Sequence, residues 1–238
     1  LQTQESIIDT FEKVSLLKPD RIAYYSYAHV PWVKPGQRMF TEADLPANEE
    51  KRQLYELGKE ILAKMNYKEI GMDHFALKDD DLYQAAIAGR MHRNFMGYTT
   101  NHSLMSLGLG VSAIGDSWTA YGQNIKTVEA YRAKLEKDEF PIFKTHFLSA
   151  DEEFIRKHIT QLMCKFQTTW ELSHPLSNLM TQGMLRLNEM VEDGLVELSD
   201  NKVKILEVGR PFARNVCMAF DIHLWNESSK EQVFSMTI

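Results

Sequence analysis

Cysteine is scarce in this chain: among 238 residues only Cys164 and Cys217 occur. Two thiols so far apart exclude a disulfide framework. They also exclude a self-contained iron–sulfur site, which draws on about four cysteines at short spacings. Both sit in apolar, helical contexts (Leu-Met-Cys-Lys-Phe and Asn-Val-Cys-Met-Ala-Phe), so they read as buried small hydrophobes. A reducing, cytoplasmic setting is the expectation that follows. No apolar run approaches the roughly 20 residues that span a bilayer, and no basic start followed by an apolar segment marks a secretory leader. No membrane is therefore expected as a partner. Basic excess is missing as well: 27 Lys+Arg face 33 Asp+Glu, a net charge of -6. Residues 148–238 alone carry 9 basic and 13 acidic side chains, which disfavours nucleic acid. Neither internal repeats nor low-complexity segments are visible.

Glycine is modest in number but unevenly spread. Of 12 glycines, six fall between Gly89 and Gly122: Gly89, Gly97, Gly108, Gly110, Gly115 and Gly122. That stretch holds a single acidic residue, Asp116, together with Arg90, His92, Arg93 and His102. Glycine allows positive φ or close approach to the backbone. Combined with cations and a shortage of acid, it predicts a binding surface for an anion. Gly108-Leu109-Gly110 is not a dinucleotide fingerprint, because the third glycine and a framing strand–turn–helix are missing.

Periodicity predicts an α/β chain. Helices are expected over Ile7–Leu17, Glu49–Met65, Asp79–Ala88 and Thr127–Lys137, and strands over Arg21–His29 and Tyr67–Phe75. Helix alternating with strand is the rhythm of a βα barrel or open parallel sheet, whose function sits at the C-terminal strand ends. Those ends here are Tyr27-Ala28-His29 and Met72-Asp73-His74-Phe75, each running into a histidine. Leu104–Ile114 is apolar enough for a buried strand or loop. Ser149-Ala150-Asp151-Glu152 starts a second unit with a capping-box signature and a helix to about Gln167. A helix over Pro175–Glu192, a hairpin around Ser199-Asp200-Asn201 and a last helix from Gly209 follow, in a winged-helix-like order. The expected domains are 1–147 and 148–238. The chain opens on Leu1, in what reads as a loop before a helix, and is expected to be a piece of a longer polypeptide.

Several residues are candidates for chemistry. Adjacent Asp73 and His74 form an acid–base pair or a metal site, or else a turn with structural roles, since neighbouring strand residues face opposite ways. His29, His74, His92 and His102 match no zinc spacing. Arg90, His92 and Arg93 form a cationic group suited to a carboxylate or phosphate, or else to an internal salt bridge.

Beyond these local readings, the chain resembles the C-terminal part of the oxygen-independent coproporphyrinogen III oxidases, radical S-adenosylmethionine enzymes of haem biosynthesis. The residues that carry the resemblance are Pro19-Asp20-Arg21, Tyr27-Ala28-His29-Val30-Pro31, Gly71-Met72-Asp73-His74-Phe75-Ala76, Arg93-Asn94-Phe95-Met96-Gly97-Tyr98-Thr99-Thr100, Gly110-Val111-Ser112-Ala113-Ile114, Tyr121-Gly122-Gln123-Asn124, Arg214-Asn215-Val216-Cys217-Met218 and Phe220-Asp221. The resemblance implies the C-terminal portion of an incomplete radical-SAM βα barrel followed by a mainly helical, winged-helix-like domain. It implies oxidative decarboxylation of two propionates of coproporphyrinogen III to vinyl groups, giving protoporphyrinogen IX, through a 5'-deoxyadenosyl radical. A [4Fe-4S] cluster and S-adenosylmethionine would serve the full-length enzyme, but the CxxxCxxC cluster motif is absent from this chain. Carried over by position, the S-adenosylmethionine contacts fall on Ala28 and Ile114. Arg90, Arg93, His74 and Tyr98 are the expected contacts to the tetracarboxylate substrate. Met96, where a well-known bacterial member carries a glutamine, is expected to pack rather than act. The fragment is expected to lack radical activity and to need the missing N-terminal half of the barrel. The competing reading is a non-catalytic tetrapyrrole- or partner-binding module on the same scaffold, and the sequence upstream of Leu1 would discriminate the two.

Overall fold

Thr3 begins the first helix, in a computed structural model that describes residues 2–225. Its hydroxyl accepts from the Ser6 backbone while Ser6 reaches back to Thr3, a capping box that satisfies two of the free N–H groups at the start of α1 (Gln4–Leu17). The helix stops at Lys18, whose φ of 44° is left-handed. Phe11 is its buried residue. Strand β1 (Arg21–Ala23) and helix α2 (Asn48–Lys64) follow, then β2 (Tyr67–Gly71), β3 (His74–Leu77) and α3 (Asp81–Ile87). Asp80 caps α3 and also takes the Arg21 guanidinium at 2.9 Å. Phe11, Leu62, Tyr67 and Phe75 form the buried cluster here.

Three expectations fail in this region. The stretch Tyr67–Phe75 is not one strand but a hairpin, broken at Met72–Asp73, where Asp73 takes φ 58°. Aspartate tolerates this left-handed conformation, and the Tyr55 hydroxyl donates to its carboxylate at 2.9 Å. The strand expected over Arg21–His29 ends at Ala23, because its partner β3 begins at His74 and the register Ala23↔His74 is the last available. The sheet order is β1-β3-β2 with both pairings antiparallel, whereas the βα rhythm predicted parallel pairing. A tight turn between β2 and β3 permits only an antiparallel pair, while a parallel pair needs a crossover. All strand pairings among the described residues are antiparallel.

The chain groups into two compact units that meet in sequence between Arg90 and Met91, so the expected boundary at 147/148 lies inside the second. That unit starts with the hairpin of β4 (His92–Asn94) and β5 (Gly97–Thr99). Next come β6 (Ile114–Asp116), β7 (Ala120–Asn124), α4 (Val128–Leu135) and β8 (Ile142–Phe147), which build a sheet ordered β6-β7-β8. Leu104–Ile114 was expected to be buried; instead Leu104, Leu107 and Leu109 are exposed. Its backbone is held by polar partners: the Asn124 amide donates to the carbonyls of Gly108 (2.8 Å) and Gly110 (2.9 Å), and Gly110 N–H donates to the Tyr131 hydroxyl (3.1 Å). Gly108 is obligatory there, since a Cβ would stand 2.8 Å from the Ile114 carbonyl carbon.

Helix α5 (Ala150–Lys165) opens on the expected capping box of Ser149 and Glu152. It is followed by β9 (Gln167–Thr169), α6 (Ser177–Met184), α7 (Asn188–Glu192), the hairpin β10 (Val196–Ser199) and β11 (Lys202–Ile205), and α8 (Ala213–Met218). The sheet runs β10-β11-β9. The single helix expected over Pro175–Glu192 is divided by a 3-10 turn, Leu185–Leu187, that buries Leu187. The last helix begins with a 3-10 turn because Pro211 has no N–H to continue an α ladder. Leu162, Met180, Val203, Val216 and Phe220 centre the core, with Cys164 and Cys217 buried in or beside it as expected. No helix among the described residues is long and apolar enough to cross a membrane.

Candidate functional site

The sheet register creates one row of polar and aromatic side chains. Asp116 pairs with Tyr121 and Tyr121 with His146, so three strands present these residues to one face. Across from them, Glu152 and Arg156 stand four residues apart on α5, one turn from each other. Together with Arg93 they line a cleft of about 580 Å³ within the second unit.

Arg156 organises the centre. Its Nη2 meets the Asp116 carboxylate at 2.5 Å and its Nη1 donates to the Trp118 carbonyl at 2.6 Å. The guanidinium also lies over the rings of Trp118 (4.2 Å) and Tyr121 (4.9 Å). Both members of the ion pair are largely buried, with side chains 14% and 10% exposed. Burial pushes the Tyr121 phenol above its ordinary pKa, and the Arg156 charge opposes that rise. Burial, then His102, then Arg156 hold the His92 imidazole below its usual value. His92 and His102 are ring neighbours at 5.2 Å.

Arg93 enters from β4, where it pairs across the hairpin with Tyr98 and places its guanidinium 4.6 Å from that ring. Its Nη1 is buried without a hydrogen-bond partner among the described residues. Tyr98 is itself buried, and its hydroxyl donates to the Met163 carbonyl at 3.0 Å, tying the hairpin to α5. Cys164 and Cys217 feel the Arg93 charge, yet burial dominates and raises the thiols to about 11 and about 12. Such thiols are protonated at neutral pH and do not fit as cluster ligands.

The other expected residues are distributed differently. Arg93, Tyr98 and Ile114 belong to the second unit, whereas Ala28, His74 and Arg90 belong to the first. Ile114 lies half-buried in β6, paired with Gln123. Ala28 is exposed on a loop pinned by Gln37, whose amide donates to the Ala28 carbonyl (3.1 Å) and accepts from Val30 N–H (2.6 Å). His74 Nδ1 donates to the Met72 carbonyl at 2.7 Å while Asp73 holds Tyr55, so this pair is built into the turn as the structural alternative foresaw. Arg90 is exposed just after α3. Met96 was expected to pack; at the tip of the β4–β5 hairpin it is 94% exposed.

Sequence reasoning missed Arg156, Glu152, His146 and His223 as a group. They come from β8, α5 and the segment after α8, and only the capping box drew attention to Glu152. His158 was also missed. It is fully buried, its Nδ1 donating to the Thr168 hydroxyl at 2.6 Å, which in turn donates to Gln161. Burial, then the charges of Lys157 and His174, push it down to about 4. A folded pKa below the unfolded value of about 6.5 means that the unfolded chain binds more protons between pH 6.5 and 4. Stability from neutral His158 is therefore present above pH 6.5 and lost as pH falls towards 4, by roughly 3 kcal/mol in all. Urea titrations at pH 7 and 4.5 should show this drop, and His158→Gln should remove most of it. An equal pH dependence in both proteins would refute the assignment.

No family model matches the chain. An oxygen-independent coproporphyrinogen III oxidase of Synechocystis sp. is 36% identical over 239 residues, covering 97% of this chain and 51% of the relative. The Escherichia coli protein of the same name is 34% identical over 244 residues, covering 100% of this chain and 53% of its own length. A solved structure of coproporphyrinogen III oxidase from Escherichia coli, described as a radical SAM enzyme, superposes with a TM-score of 0.87 at 33% identity. That match covers 93% of this chain and 52% of the other. The chain thus spans about half the length of the curated relatives it matches.

Proposed function

We propose that this chain, similar along its whole length to the oxygen-independent coproporphyrinogen III oxidases, is the C-terminal part of such an enzyme. The observation that carries the reading is that similarity in sequence together with the match in fold. On this reading the first part of the chain continues the radical-SAM barrel of the parent enzyme, and the helices and hairpin from α5 to α8 form a winged-helix-like part. The complete enzyme converts two propionates of coproporphyrinogen III to vinyl groups, giving protoporphyrinogen IX. The radical is generated by a [4Fe-4S] cluster and S-adenosylmethionine held mainly outside this chain. Alone, the chain has no thiols suited to a cluster and is inactive. Ala28 and Ile114 contact S-adenosylmethionine by packing or through their backbone, since neither side chain is polar. Exposed Leu104, Leu107, Leu109, Phe143 and Phe147 favour a longer polypeptide whose remaining part covers them.

What this chain contributes is recognition of charge. The substrate carries four carboxylates, and Arg93 lines the cleft with a buried guanidinium whose Nη1 has no hydrogen-bond partner among the described residues. Leaving a buried donor unsatisfied is costly, and a carboxylate would relieve it. Tyr98, whose ring lies 4.6 Å from the Arg93 guanidinium, is the second member of the proposed substrate set. In the complete enzyme, Arg93→Ala should raise KM for coproporphyrinogen III by roughly 10-fold or more, the scale of one lost charge-assisted hydrogen bond. The kcat should change little. Steady-state kinetics and a thermal melt check this together: unchanged KM with a lowered Tm would make Arg93 a structural residue.

A further inference from the structure

At one rim of the cleft, three side chains from separate elements converge. Glu152 is the third residue of α5, and its Oε2 accepts the Ser149 N–H at 2.7 Å within the capping box. That bond fixes the carboxylate plane and leaves Oε1 free to face the cleft. Oε1 receives His146 Nε2 at 2.7 Å and His223 Nε2 at 2.8 Å. The three candidate ligand atoms all lie within 4.8 Å of one another. Glu152 is largely buried while both imidazoles are exposed, so the ring nitrogens have room to move and the carboxylate does not. The His223 backbone N–H donates to the Asp221 carboxylate at 3.0 Å, which fixes the approach of the third ligand.

We propose that His146, Glu152 and His223 form a binding site for a divalent transition-metal ion of the zinc class. Two imidazoles and one carboxylate are a zinc donor set, with metal–ligand distances of about 2.0–2.2 Å in tetrahedral geometry. Such bonds place neighbouring ligand atoms about 3.4 Å apart, which the exposed histidines reach from their present positions by small rotamer changes. The capping-box bond to Glu152 plays the outer-sphere role that orients metal-bound carboxylates. Magnesium and calcium are disfavoured, because they prefer all-oxygen surroundings. An imidazole that binds the ion through Nε2 carries its proton on Nδ1, so the two contacts now made to Oε1 give way to metal bonds. The ion ties the end of β8 and the segment after α8 to the start of α5, and a three-ligand set leaves one position open to the cleft. This site is independent of the function proposed above.

Calorimetric titration of the untagged chain with zinc chloride at pH 7.5 tests the site. One equivalent should bind with a micromolar or tighter Kd, and magnesium should give no binding. The double variant His146→Ala/His223→Ala should weaken zinc binding at least 100-fold. Zinc should raise the melting temperature of the parent chain and not that of the variant, with circular dichroism confirming that both are folded. Absence of zinc binding to the parent chain, or an unchanged Kd in the folded variant, overturns the proposal.

Discussion

Phe220→Ala is expected to lower the unfolding free energy of the second unit by about 3–5 kcal/mol, the range for deleting a fully buried phenylalanine. Phe220 is 0% exposed and sits among Leu162, Met180 and Val216. The site cannot collapse easily, because the space its ring fills is shaped by a glycine. A Cβ at Gly183 would lie 2.2 Å from Phe220 Cδ1, so the α6 backbone stands directly against the ring. Removing the ring therefore leaves a cavity bounded on one side by helix backbone, which cannot move in as a side chain can. Urea unfolding followed by tryptophan fluorescence measures the loss. The next residues along the chain, Asp221 and His223, line the cleft, so their signals in a nuclear magnetic resonance spectrum should broaden as well. A loss below about 1 kcal/mol would mean that the core relaxes around the gap, contrary to the packing described.

Asp116→Ala is the second large effect. It strands the Arg156 guanidinium in a largely buried position, and removing one partner of such a pair costs about 3 kcal/mol. The hydrogen bond from Arg156 to the Trp118 carbonyl survives but does not neutralise the charge. Trp118 N–H also loses its acceptor, the Asp116 carboxylate at 2.8 Å. The double variant Asp116→Leu/Arg156→Met should recover most of the loss, ending within about 1 kcal/mol of the parent. Methionine keeps contact with the Trp118 and Tyr121 rings without a charge. A double-mutant cycle from denaturant titrations reads the coupling directly. Additive losses in the cycle would show that the two charges do not depend on each other.

Much of the secondary structure is legible in the sequence, because it rests on local rules. The helical periods of α1 and α2 and the capping box at Ser149 depend on residues within a few positions of one another. Errors arose where a distant partner decided the outcome. The apolar segment Leu104–Ile114 reads as buried from composition, yet side chains of Asn124 and Tyr131 hold its backbone and leave its leucines outside. β1 stops at Ala23 despite the β-prone residues that follow, because the hairpin turn at Asp73 ends its partner. Arg93 was legible as an anion-binding candidate. That its Nη1 is buried without a partner among the described residues became visible only once the hairpin was placed against α5.

By itself the sequence determined the mixed helix-and-strand content, the burial of both cysteines, the lack of a cluster motif and the resemblance to a known group of oxidases. All of these reside in composition, short-range periodicity and ordered motifs. Only the tertiary structure decided strand pairing and the cleft. Register aligned Asp116, Tyr121 and His146 across three strands, and α5 brought Glu152 and Arg156 to the same face. His223, 71 residues from Glu152, joined them last. The physical reason is that hydrogen-bond register and helix packing set which side chains share a face, and both depend on partners remote in sequence.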